Sequence, residues 1–170
     1  MISLRPNRST VAELTTELNE VNRNDVNLWE KFEVDSRPFR ERIMDLQAEL
    51  EKLPQIVMPI KHQFCDGLYL RTIWVPAGTL VVTRIYKIEQ ANIISQGEVS
   101  IRSEFGGFRV NGPYIFTAKA GTKRAIYHHT NVMWTSVMPS NSRDIGKNED
   151  RVYASSYEEF DALFPIAEAV

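Results

Sequence analysis

Apolar residues in the first third of the chain recur at steps of three and four, first as Val11, Leu14, Leu18 and Val21, then as Phe39, Ile43, Leu46, Leu50 and Leu53. That spacing puts each set on one stripe of a helix. Thr10 followed by Glu13 is a capping-box start, and Pro38 suits the first turn of the second helix while it would damage an interior. A break is therefore predicted over residues 33–38. Leu28, Trp29 and Phe32 are apolar within the polar run NRNDVNLWEKFEVD, placed to cap the first helix or to dock on a neighbour. Pro54 and Pro59 close the helical part. Beyond them the period shortens to that of strands, predicted at Leu68 to Val75, Leu80 to Tyr86, Ala91 to Ser95, Glu98 to Arg102, Phe108 to Val110, Tyr114 to Thr117, Arg124 to His129 and Val132 to Met138. Turn signals at Pro76-Ala77-Gly78, Gly97, Gly106-Gly107, Asn111-Gly112-Pro113 and Gly121 separate these runs. Residues 140–151 read as a polar loop without periodicity. Ser155 or Ser156 then opens a short terminal helix carrying Phe160, Leu163 and Phe164, expected to cover an open end of the barrel.

So many short strands predict a mainly β sandwich or small barrel. Three parts are expected: a helical region over 1–55, the barrel over 56–139, and a polar loop with a C-terminal helix over 140–170. Two readings of the helical stripe stay open. The helices lie against the chain's own barrel, or the stripe Leu14, Leu18, Ile43, Leu46 and Leu50 joins copies into a dimer or trimer.

Composition narrows the chemistry. With 20 Lys and Arg against 22 Asp and Glu among 170 residues, the net charge is −2, and 25% of residues are charged. This balance argues against disorder and against nucleic-acid binding by phosphate neutralisation. Cys65 is the single cysteine, so neither an internal disulfide nor a cysteine-rich zinc site is expected. The first ten residues are too polar for a signal peptide, and no run approaches the ~20 apolar residues of a membrane helix. No membrane partner is expected.

One spacing is specific. Gly78 is followed by five residues, then Arg84-Ile85-Tyr86, three residues, Gln90, six residues and Gly97, and further on Lys119-Ala120-Gly121 precedes Arg124 by two residues. This register resembles the two glycine-anchored motifs of the cupins, a family of double-stranded β-helix jelly rolls. The resemblance covers roughly residues 60–139 and implies a metal held at positions that are here Arg84, Tyr86, Gln90 and Arg124. The stretches GLYLRTIWVPAGTLVV and FTAKAGTKRAIY also resemble small cupin-like proteins of tailed-phage genomes.

The substituted residues change what such a site can do. Arginine offers donors, no acceptor and a fixed positive charge, tyrosine ionises only near pH ~10, and glutamine is a weak neutral ligand. No metal and no other cofactor are expected. The same four residues, with Lys119 or Lys123 near, suit a carboxylate or phosphate. The alternative is that the arginines point outward to a glutamate such as Glu89 or Glu98 and that side chains fill the barrel. His128 and His129, adjacent in a strand, face opposite ways, so a displaced metal site would need His62 with one of them. Cys65 is read as a small, at least half-buried residue, and Trp74 and Trp134 as core. No catalytic residue is assigned.

The sequence thus predicts a non-catalytic structural or interaction protein of phage type, a capsid or tail decoration or a host-directed factor, located in a virion or host cytoplasm. It would associate with itself and with another protein. The competing expectation is an anion- or sugar-binding cupin module, or a cofactor-free isomerase or epimerase, whose general base the reconstructed pocket lacks.

Overall fold

The shift in hydrophobic period near Pro59 separates two kinds of structure. The computed structural model describes residues 11–165, with side chains from residue 23 onward. Helices α1 (Val11–Val34) and α2 (Phe39–Glu51) meet at the predicted break. Pro38 takes an extended conformation (φ −50°, ψ 140°) that α1 cannot continue through. Arg42 then donates Nη1 to the carbonyls of Phe32 and Asp35 (3.2 and 2.8 Å), satisfying acceptors that the end of α1 leaves open. Thr10 and the side chains of Leu14 and Leu18 lie outside the described residues.

The strands are β1 (Ile60–Cys65), β2 (Leu68–Val75), β3 (Leu80–Val82), β4 (Ile85–Tyr86), β5 (Gln90–Gln96), β6 (Glu98–Ser103), β7 (Gly106–Asn111), β8 (Tyr114–Ala118), β9 (Arg124–His128) and β10 (Val132–Pro139). Helix α3 (Ile145–Val152), strand β11 (Tyr153–Ala154) and helix α4 (Tyr157–Leu163) follow. All pairings are antiparallel. One sheet runs β1-β2-β10-β5-β8 and the other β3-β9-β6-β7. Leaving aside β1 and the small β4–β11 pair, these are the two interleaved four-stranded sheets of a jelly roll, in which chain neighbours other than the β6–β7 hairpin fall in opposite sheets. The fold is a mainly β, cupin-like jelly roll with N-terminal helices and a short C-terminal helix.

Several expectations change. The run Leu80 to Tyr86 is two strands, because Thr83 leaves the sheet: its amide donates to the Arg124 carbonyl and its hydroxyl receives the Arg124 amide, after which Ile85 and Tyr86 pair with β11. Strand β1 was missed because its alternation, Ile60, His62 and Phe64 against Lys61, Gln63 and Cys65, is weakly apolar. The polar stretch 140–151 contains most of α3, whose Asp144 cap accepts the Lys147 amide. Cys65 and Trp74 are exposed, since each sits on the outward alternation of its strand. Helix α4 opens at Ser156 as one of the two predicted caps. It packs Tyr157 and Phe160 into the cluster shared by α1, α2, β3, β4 and β9, and the Phe160 ring lies over Gly121 in the β8–β9 turn. Gly97, at φ +93°, turns β5 into β6 where an added Cβ would lie 2.3 Å from the Asn131 carbonyl oxygen, so only glycine fits.

Trp29 and Phe32 of α1 and Ile43 and Leu46 of α2 are buried with Leu80, Ile85 and Ala125, and Leu50 packs beside them. Ile43 and Leu46 therefore serve the chain's own core and do not form the assembly stripe expected for them. Asp25 reinforces the contact: its carboxylate accepts the Leu80 amide at 2.8 Å. Burial raises the pKa of that carboxyl, and the amide opposes the rise. Arg40 ties α2 to Glu104 and Asp161 and lies over the Tyr157 ring at 4.3 Å.

Candidate functional site

Alternation along β9 sends Arg124, Ile126 and His128 into the barrel and Ala125 and Tyr127 outward to the helices. Arg124 is 2% exposed. Its guanidinium carbon lies 5.1 Å from the Tyr86 ring centre, 5.7 Å from Trp134 and 5.8 Å from Phe116. Its Nε and Nη2 have no hydrogen-bond partner, and among the described residues no carboxylate forms an ion pair with it. Burial lowers its pKa, with the Tyr86 and Tyr153 hydroxyls opposing the shift; a guanidinium nonetheless stays cationic at neutral pH.

The opposite wall is polar as well. Asn92 accepts from the Trp134 indole (3.0 Å) and the Ser136 hydroxyl (3.1 Å) through one oxygen. Gln90, on the same face of β5, is 3% exposed and leaves both side-chain polar atoms unpartnered. Arg71, inward on β2, has its Nε buried and unpartnered too. Burial strongly raises the Tyr153 phenol, and Tyr153 packs on Tyr86 with ring centres 5.0 Å apart.

Of the four predicted pocket residues, the structure brings Tyr86, Gln90 and Arg124 inside. Arg84 does not join them. The break at Thr83 turns its side chain outward, where it meets Glu149 at 3.5 Å and covers the Tyr153 ring at 4.9 Å. The second interior arginine is Arg71, which the sequence reading missed. Its signal was alternation with Tyr69 and Ile73, masked by the apolar Leu68, Leu70 and Trp74 on the other face of β2.

A cleft of about 670 Å³ opens elsewhere, bounded by α2, residues 53–58 and the β3–β4 segment. Lys123 lines it, donating Nζ to Gln47 (2.5 Å) and to the Thr83 carbonyl (2.9 Å), and burial lowers its pKa to about 8. Asp25, Glu51, Glu149 and Asp150 share that cleft. There Lys123 has two acceptors and Arg84 has Glu149, whereas two nitrogens of Arg124 have no partner. The unmatched guanidinium marks the site.

The three histidines do not meet. His62 shares a hydrogen bond with the Tyr69 hydroxyl (2.7 Å), His128 donates Nδ1–H to the Thr79 carbonyl (2.9 Å), and His129 bonds the Ser100 hydroxyl (2.8 Å). Among the described residues no three His, Cys, Asp or Glu side chains cluster as metal ligands. The metal implied by the cupin resemblance does not fit here: Arg124, aimed into the barrel, has no lone pair to give and repels a divalent ion.

His128 supplies a pH test. Burial pulls its pKa from 6.5 to about 4, partly offset by the Thr79 carbonyl and aided by His129. The unfolded chain takes up this proton below about pH 6.5, while the folded chain resists until about pH 4, so stability falls as pH falls through that window. A loss of about 3 kcal/mol is expected across it. Urea midpoints of wild type and His128→Asn should diverge above pH 6 and converge near pH 4; parallel pH profiles would refute a buried neutral imidazole.

No family model and no curated protein matches the sequence. Solved structures similar to the chain include a cupin-superfamily protein from Desulfitobacterium hafniense (15% identity, 63% of this chain and 94% of that one, TM-score 0.44). They also include the cupin domain of Schizosaccharomyces pombe Cnp3 (17%, 60% and 77%, 0.43). A third is ectoine synthase from P. lautus (13%, 50% and 65%, 0.44).

Proposed function

We propose that this chain is a non-catalytic binding module in which Arg124 receives a small carboxylate or phosphate inside the jelly roll, with Gln90 and Arg71 as further donors. The observation that carries this reading is the buried, unpaired Arg124 guanidinium. An isolated buried charge costs several kcal/mol, and an anion would supply both its missing charge and its missing acceptors. The surrounding rings, amides and phenols suit holding an anion better than moving a proton at neutral pH. In a thermal-shift series with acetate, phosphate and sulfate, one anion at about a hundred times its Kd is expected to stabilise the chain by about 2.7 kcal/mol. That corresponds to a rise of roughly 5–10 °C. The shift should vanish in Arg124→Met and persist in Arg84→Ala. No response to any small anion would sink the proposal.

A second reading concerns assembly. Helix α1 is continuous over 24 residues, and its described packing comes from Asp25, Trp29 and Phe32. The stripe of Val11, Leu14, Leu18 and Val21 continues the same three-four spacing toward the N-terminus, and this supports a dimer or trimer joined through that arm. The resemblance to tailed-phage proteins supports a virion accessory as its setting. Light scattering should give a dimer or trimer mass for wild type and a monomer mass for Leu14→Glu/Leu18→Glu. Equal masses would overturn it. Leu46 is unsuited to this test because it packs in the chain's own core.

A further inference from the structure

The two sheets face each other without hydrogen bonding along the edge formed by β7 and β8. Strands β7 and β8 are the outer strands of different sheets, joined only through residues 112–113. Both send aromatic side chains toward the gap. Phe108 and Tyr114 lie at its mouth, 36% and 41% exposed, with ring centres 5.9 Å apart. Phe116, half-buried, meets Phe108 edge-on at 5.2 Å and Trp134 edge-on at 5.5 Å. Trp134, 5% exposed, and Phe116 both face the Arg124 guanidinium. Exposure thus declines along a continuous lane of rings from solvent to a buried cation that lacks an anion.

The lane is chemically uniform. Val110 from β7 and Ile73 from β2 pack beside it, and the polar groups on its rings are the Tyr114 hydroxyl at the mouth and the Trp134 indole N–H, which is already given to Asn92. A sugar acid would leave its ring hydroxyls unpaired there. A flat apolar ring would gain edge and face contacts. Resting on the reading of Arg124 as the anion site, we propose that the ligand is a small aromatic carboxylate that enters between β7 and β8, with its carboxylate on Arg124 and its ring against Phe116 and Trp134.

The test is isothermal titration of the full chain with benzoate, acetate and glucuronate. Benzoate is expected to bind roughly ten- to a hundredfold more tightly than acetate, reflecting burial of one ring, and glucuronate no better than acetate. Phe108→Ala/Tyr114→Ala alters exposed residues and should keep the fold. It should raise the association and dissociation rates of benzoate together, read by stopped flow, while leaving the affinities of benzoate and acetate unchanged. Equal affinities of wild type for benzoate and acetate would overturn the aromatic assignment while leaving the anion site standing, and benzoate rates untouched by the double variant would overturn the route between β7 and β8. Tighter binding of glucuronate would replace it with a sugar acid. If none of the three binds, and phosphate does not, the anion site itself fails and this inference with it.

Discussion

Arg124→Met should make the ligand-free protein more stable while abolishing anion binding. Methionine follows the aliphatic stem of arginine and ends in an apolar group suited to Tyr86, Phe116 and Trp134. The wild-type guanidinium sits among those rings with two nitrogens unpartnered. Cation–π attraction to three rings returns part of the lost hydration energy, yet replacing buried charges with apolar residues of similar volume is often neutral or stabilising by about 1–4 kcal/mol. Urea denaturation measures this directly. A variant less stable than wild type would mean that the guanidinium holds the barrel together. A gain in stability with loss of binding would identify Arg124 as a residue kept for a ligand at the expense of the fold.

Trp29→Ala is expected to remove about 3–5 kcal/mol, a large part of the stability of a domain this size. Trp29 is 8% exposed, stacks on Tyr127 of β9 at 5.9 Å and 22°, and lies 6.0 Å from Phe32. Arg102 covers its outer face at 5.7 Å while paired with Glu33. Truncation therefore opens a cavity at the joint between the helical layer and the sheet. Circular dichroism should show helix signal lost at lower urea than strand signal, because α1 is then held only by Phe32, Leu28, the Asp25–Leu80 hydrogen bond and the Glu33–Arg102 pair among the described contacts. A loss below about 1 kcal/mol would show that the helices contribute little to the core.

Much of the architecture was legible because hydrophobic period is a local property. The break at residues 35–38, the turns at Gly97 and Gly112 that carry the chain from one sheet to the other, and the opposed faces of His128 and His129 each follow from a few adjacent residues. What failed depended on partners distant in sequence. Arg84 and Tyr86 share a face in any unbroken strand, and the break between them arises from hydrogen bonds with Arg124, forty residues on. Arg71 was hidden because both faces of β2 carry large apolar residues, so alternation did not say which face the barrel would claim. Helix α3 has the polar surface of a loop; Val152 and Asn148 are buried through contacts with β-strand residues and the 140–144 segment that no local pattern announces.

Strand β9 has helices on one side and the ligand lane on the other, and each of its five residues is buried or half-buried. Mutational tolerance should be lowest here. Enlarging Ala125 would push against Trp29 and Leu80, and reshaping Arg124 or Ile126 would disturb the interior, so adjacent positions answer to unrelated neighbours. A drifting lineage can adjust either neighbour only by keeping the strand between them nearly unchanged, which makes these five residues the stretch to search with when distant relatives of this chain are sought.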